Sequence, residues 1–113
     1  HFVHLRSCYI FPNGNFTEAS HLGGRGHLIE LCRIFEKAEQ EGKCNSGRRL
    51  PMRVDHGMTF TDEPGGVFDE SNHGHNAGYT LLGRMFAMGQ IQGVIATVDD
   101  ELGIEYKQPG FYD

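Results

Sequence analysis

Positive charge is scarce in this sequence. Ten Lys and Arg stand against fifteen Asp and Glu, for a formal net charge of -5, and Arg48 and Arg49 are the adjacent basic pair. Such a chain offers no basic field to a phosphate backbone or an anionic bilayer, so neither nucleic acid nor membrane is an expected partner. Cysteine is also sparse. Cys8, Cys32 and Cys44 are odd in number and form no CxxC, which argues against a disulfide framework and a structural zinc site and favours a reducing, cytoplasmic setting. No signal peptide opens the sequence, and the longest apolar stretch, 81–98, is interrupted by Arg84, Gln90 and Gln92; it reads as a buried helix before a membrane span. The triplet Asn15-Phe16-Thr17 matches the glycosylation pattern but has no use without a secretory route. What remains is 113 residues, 38% hydrophobic and 11% aromatic, enough apolar matter for one globular domain rather than a disordered polymer.

Periodicity divides the chain into four elements. Residues 1–7 alternate as a strand, with Phe2, His4 and Arg6 on one parity and Val3 and Leu5 on the other. The glycine-rich stretch 13–26 reads as a loop. A helix is predicted over 27–42, its stripe formed by Leu28, Leu31, Cys32, Phe35 and Ala38, with Gly42 as the stop. A second strand follows over 50–55. A long acidic loop, 57–77, precedes a second helix over 78–98, whose apolar positions are Leu81, Leu82, Met85, Phe86, Met88, Ile91, Val94 and Ile95. Gly83, Gly89 and Gly93 lie among them and suggest close backbone packing. Residues 99–113 read as an acidic tail.

The order strand, helix, strand, helix implies parallel strands joined by a crossover. Two strands and two helices do not cover both faces of a parallel sheet. The expected fold is therefore α/β, with 1–113 as a βαβα portion of a larger protein. In a (β/α)8 barrel, alternate strand residues face the helices and the interior, and chemistry gathers at the C-terminal strand ends. On that pattern Val3, Leu5, Met52 and Val54 pack on helices, while His4, Arg6, Arg53 and Asp55 point inward. An imidazole and a carboxylate on neighbouring strands suit a divalent ion of the Mn, Fe or Zn group. A buried polar pair of His4 and Asp55 with Arg53 or Arg6 would fit the same spacing.

Four blocks in order, "HFVHLRS", "NFTEASHLGG", "LPMRVDHG" and "AGYTLLGRMFAMGQIQGV", closely resemble the C-terminal part of mannonate dehydratase, a TIM-barrel family similar to xylose isomerase. The resemblance implies a lyase of hexuronate breakdown that converts D-mannonate to 2-keto-3-deoxy-D-gluconate and water with Mn(II) or Fe(II). Carried over by position, it implies His4 and Asp55 as metal ligands, the family's cysteine and second histidine lying on earlier strands. It implies His56 and Tyr79 as the acid–base pair. Arg6, Glu18 and His21 follow as weaker candidates for substrate contact, with ion pairing or loop closure as their other roles. Ala77-Gly78-Tyr79 departs from the family's usual Pro-Gly-Tyr, and His73 and His75 read as solvated loop residues. The isolated chain is expected to be inactive and to associate with further copies or with an N-terminal part. A metal-dependent sugar isomerase or epimerase on a similar barrel, and a non-catalytic sugar-acid binding module, are the rival readings.

Overall fold

The computed structural model describes residues 2–44, 48–55 and 81–105. His56, the 57–77 loop, Tyr79 and the end of the chain beyond 105 lie outside the described residues. The architecture is mixed α/β. Strand β1 (Val3–Leu5) is followed by β2 (Cys8–Ile10), β3 (Phe16–Glu18), helix α1 (Leu28–Gln40), strand β4 (Met52–Val54) and helix α2 (Leu81–Leu102). β1 and β4 pair in parallel, Val3 with Met52, His4 with Arg53 and Leu5 with Val54. Parallel neighbours need a crossover between them. α1 lies in that connection and packs against α2.

The alternation within each strand has a direct consequence in the packing. Leu5 is buried with Leu28 and Cys32 of α1 and Ile91, Val94 and Val98 of α2, and Val3, Met52 and Val54 pack against that cluster. His4, Arg6 and Arg53 take the opposite parity and are exposed. One side of the sheet is thus a core and the other an open polar face.

Several predicted features differ. The stretch read as a loop over 13–26 contains half of an antiparallel hairpin, β2 with β3, in which Cys8 pairs with Glu18 and Ile10 with Phe16. Its turn is the Asn-Gly step: Gly14 sits at φ 86°, its N–H donates to the Phe11 carbonyl at 2.9 Å, and the Asn15 N–H donates to Asn13 Oδ1 at 3.0 Å. An Asn-Gly step flanked by apolar residues is a hairpin signal, outweighed along the sequence by the glycines farther on. α2 continues to Leu102, so the tail begins later than residue 99. Asp99 is buried inside the fold, and the helix ends where Gly103, at φ 69°, lets the Ile104 N–H reach the Asp99 carbonyl at 2.8 Å.

The apolar stripes also shift. On α1, Leu31 is exposed while Glu36 and Glu39 are buried. On α2 the core side is Gly83, Ala87, Ile91, Val94 and Val98, and Leu81, Leu82, Met85, Phe86 and Met88 are exposed. By length and composition α2 could cross a membrane, yet one of its sides seals this core. A Cβ added at Gly89 or Gly93 would meet nothing within 4 Å, so these glycines do not mark close packing among the described residues.

The segment after β3 closes tightly on the strands. Ser7 Oγ donates to the Gly23 carbonyl and accepts the Gly26 N–H at 3.1 Å, and the Arg25 N–H donates to the Cys8 carbonyl at 3.0 Å. Gly24 has φ 66°, and a Cβ there would lie 2.6 Å from the Cys8 carbonyl oxygen and 2.8 Å from Ala19 Cβ. Gly24→Ala is therefore expected to destabilise the protein by at least about 1–3 kcal/mol. Gly89→Ala, in open space within a helix, is expected to stabilise it by about 0.5–1 kcal/mol. Denaturant titration of both variants checks this; equal effects would contradict the packing described.

Candidate active site

The open face of the parallel pair carries the candidate chemistry. His4 lies opposite Arg53 in the β1–β4 register, and Asp55 follows directly on β4. The Asp55 N–H donates to the Leu5 carbonyl at 2.9 Å, extending the pairing one step beyond β4, so that Arg6 and Asp55 become neighbours at the C-terminal end of the strands. His4 and Asp55 thus share a parity and a face, with Asp55 nearer the strand ends. The His4 ring is exposed and stands edge-on to Phe2, with centroids 4.8 Å apart and planes at 82°. Asp55 is half-buried.

An exposed imidazole nitrogen and a carboxylate on one open face form a donor set that fits a divalent ion of the Mn, Fe or Zn group. Among the described residues no three His, Cys, Asp or Glu side chains gather into a metal-binding group, so the pair would be part of a larger set of ligands. Cys8 is a poor addition to it. Burial and the nearby Glu18 carboxylate, whose Oε2 lies 3.9 Å from Sγ, push the thiol up and disfavour the thiolate that binds metals.

Arg6 and Glu18, both expected to touch substrate, are engaged with each other. Arg6 Nε donates to Glu18 Oε2 at 3.1 Å, and Nη2 donates to Oε1. The hydrogen bond to Glu18 raises the Arg6 pKa further, so this guanidinium stays charged. It also lies over the Phe16 ring, 5.4 Å from its centroid, within cation–π range. Glu18 is buried while the Arg6 side chain is 37% exposed; the hairpin holds the arginine by its Nε edge and leaves Nη1 outside the fork.

His21, the third expected substrate contact, has a different place. It is 2% exposed, and its Nε2 lies 2.7 Å from the Leu5 carbonyl. A carbonyl only accepts, so Nε2 carries the proton. Its backbone N–H donates to Gln90 Oε1 of α2 at 3.0 Å, and Nδ1 is buried with no hydrogen-bond partner among the described residues. His21 therefore ties the end of β1 to α2. Of the remaining candidates, His56 and Tyr79 lie outside the described residues.

The contribution of Phe16 was not legible in the sequence, because it depends on the β2–β3 hairpin that brings Phe16 beneath Arg6. The Asn13-Gly14 step was the available signal.

A family model described as D-mannonate dehydratase (UxuA) matches residues 1–105. The chain belongs to the D-mannonate dehydratase family. Among curated relatives it is 33% identical over 103 residues to mannonate dehydratase 2 of Agrobacterium fabrum, a match covering 89% of this chain and 24% of the relative. It is 31% identical over 101 residues to mannonate dehydratase of Saccharophagus degradans, covering 88% and 24%, and 30% identical over 100 residues to that of Brucella canis, covering 88% and 23%. The chain thus spans about a quarter of the length of these relatives.

The ion pair on this face has a measurable consequence. Arg6→Met removes the cation that faces the buried Glu18 carboxylate, and is expected to cost about 2–3 kcal/mol. The double variant Arg6→Met/Glu18→Leu is expected to be more stable than Arg6→Met alone, as chemical denaturation would reveal; strict additivity of the two changes would show that the pair is not coupled.

Proposed function

We propose that the protein carrying this chain is a metal-dependent D-mannonate dehydratase, which converts D-mannonate to 2-keto-3-deoxy-D-gluconate and water. The observation that carries the reading is the parallel β1–β4 pair, which presents His4 and Asp55 on one open face within a family match over residues 1–105. We further propose that the described elements are two neighbouring βα units of a (β/α)8 barrel. The one-sided burial of the sheet supports this, as does the exposed apolar half of α2, because a helix apolar on all sides needs neighbours on more than one of them.

His4 and Asp55 would hold Mn(II) or Fe(II), with the remaining ligands supplied by strands outside this chain. When bound, the cation supplies charge that offsets the negative charge developing on the substrate carboxylate and adjacent oxygens as the neighbouring proton is removed. The residues of this chain do the rest. Arg6, held by Glu18 and over Phe16, is fixed at the strand ends as a permanent cation able to orient a carboxylate through its remaining N–H groups. The reaction also needs one group to take the proton beside the carboxylate and another to protonate the departing β-hydroxyl, and we assign these roles to His56 and Tyr79 as a pair. His21 orients β1 and makes no substrate contact in this scheme.

Asp55→Asn in the whole protein is expected to lose bound metal, whereas His56→Asn is expected to keep metal and lose turnover. Elemental analysis and an assay for 2-keto-3-deoxy acid release on the same preparations would measure both. Equal metal loss in the two variants would contradict the division of roles. Formation of an isomer or epimer without release of the keto-deoxy acid would replace the dehydratase reading with an isomerase.

A further inference from the structure

At the opposite end of the strands from Asp55, the C-terminal halves of α1 and α2 and the residues leading into β4 converge on one guanidinium. Arg49 Nη1 lies 2.7 Å from Glu36 Oε2, its Nη2 3.2 Å from Asp99 Oδ2 and its Nε 3.6 Å from Glu39 Oε2. The other oxygen of Glu39 accepts the backbone N–H of Leu50. Glu36, Glu39 and Asp99 are all buried, Asp99 completely. Fully ionised, these would be three negative charges gathered, among the described residues, around one guanidinium. Such charges are costly enough that one carboxyl takes up a proton instead. Glu36 and Asp99 face neighbouring nitrogens of the one guanidinium, Nη1 and Nη2, where a single proton on the pair removes one of two like charges and lets one carboxyl donate to the other.

We propose that Glu36, Glu39, Asp99 and Arg49 form a proton-held clasp, in which one proton shared by Glu36 and Asp99 closes α1 on α2 and, through Glu39 and the Leu50 N–H, fixes the start of β4; loss of that proton at alkaline pH releases it. The clasp does not depend on the reaction assigned to the protein. Every element packed around Glu36 contributes a charged or titratable group. α1 supplies Cys32 and Glu39, the segment before β4 supplies Arg49, and α2 supplies Asp99. Arg53 and Arg84 join Glu36 and Arg49 in lining a cleft of about 380 Å³.

The electrostatics agree with the geometry. Burial first, and then the hydrogen bond to Asp99, push Glu36 up to about 8, while Arg49 pulls it down. Burial, with Glu36 adding to it, pushes the Cys32 thiol up to about 11, so Cys32 stays neutral while the clasp titrates. Because the folded state holds the Glu36 proton more tightly than the unfolded chain, the stability this proton contributes is complete below the ordinary carboxylate range. It declines as pH rises and is gone once pH passes the folded-state value.

The test is amide hydrogen exchange on the full chain, corrected for intrinsic base catalysis, at the β1–β4 ladder. The Val3 N–H, bonded to the Pro51 carbonyl at 3.0 Å, and the Asp55 N–H, bonded to Leu5 at 2.9 Å, are the reporters. Between about pH 6 and about pH 9 the natural chain is expected to lose roughly tenfold or more of its protection, while Glu36→Gln, which cannot ionise, keeps its own across the same range. Equal losses in both chains, or none in the natural one, would overturn the clasp. Should Glu36→Gln fail to fold, the carboxyl carbon of Glu36 in the natural chain decides by its own titration. A midpoint far above the ordinary carboxylate range supports the clasp, and one within that range refutes it.

Discussion

The carbonyl of Leu5 is the junction on which the rest of this structure depends. It accepts two hydrogen bonds, one from the Asp55 N–H at the end of β4 and one from Nε2 of the buried His21, using both of its lone pairs. The side chain of the same residue lies in the core between α1 and α2. One residue thus joins the parallel strands, the turn after the hairpin and both helices. The position of Asp55 beside Arg6 follows from that backbone junction. A change at His21 would reach the open face through the backbone, without His21 facing it.

The two ends of the strands are built for different purposes. At the C-terminal end, His4 and Arg6 are exposed and Asp55 is half-buried, with His4 edge-on to Phe2 and Arg6 held by Glu18 over Phe16. Charges left partly in water keep their reactivity and bind ligands at low cost. At the N-terminal end, Glu36, Glu39 and Asp99 are withdrawn from water around Arg49, and such buried charges hold elements in place through mutual dependence. An exposed polar end and a buried end of the strands is the arrangement that the proposed βα barrel would require.

The helices share that asymmetry. α1 buries Leu28 and Cys32 near its start and carboxylates near its end. α2 seals the core with Ala87, Ile91, Val94 and Val98 yet leaves Leu81, Leu82 and Met85 exposed. An apolar helix end beside a sheet with one uncovered face is what supports placing these elements in a larger barrel.

Strand alternation was legible in the sequence because a period of two is a property of the extended backbone itself. From it followed the separation of Val3, Leu5, Met52 and Val54 from His4, Arg6, Arg53 and Asp55. The Asn13-Gly14 turn was legible in principle, since its signal is local. The burial of Glu36, Glu39 and Asp99 was not, because charged residues at helical spacing read as a solvated face until a cation from another segment, Arg49, arrives among them. The same holds for Arg6, Glu18 and His21. Their residue types made them candidates for substrate contact, but only the tertiary structure decided that Arg6 and Glu18 bind each other and that His21 holds a backbone carbonyl. A side chain's partner is set by which segments meet in space, and no periodicity along the chain encodes that.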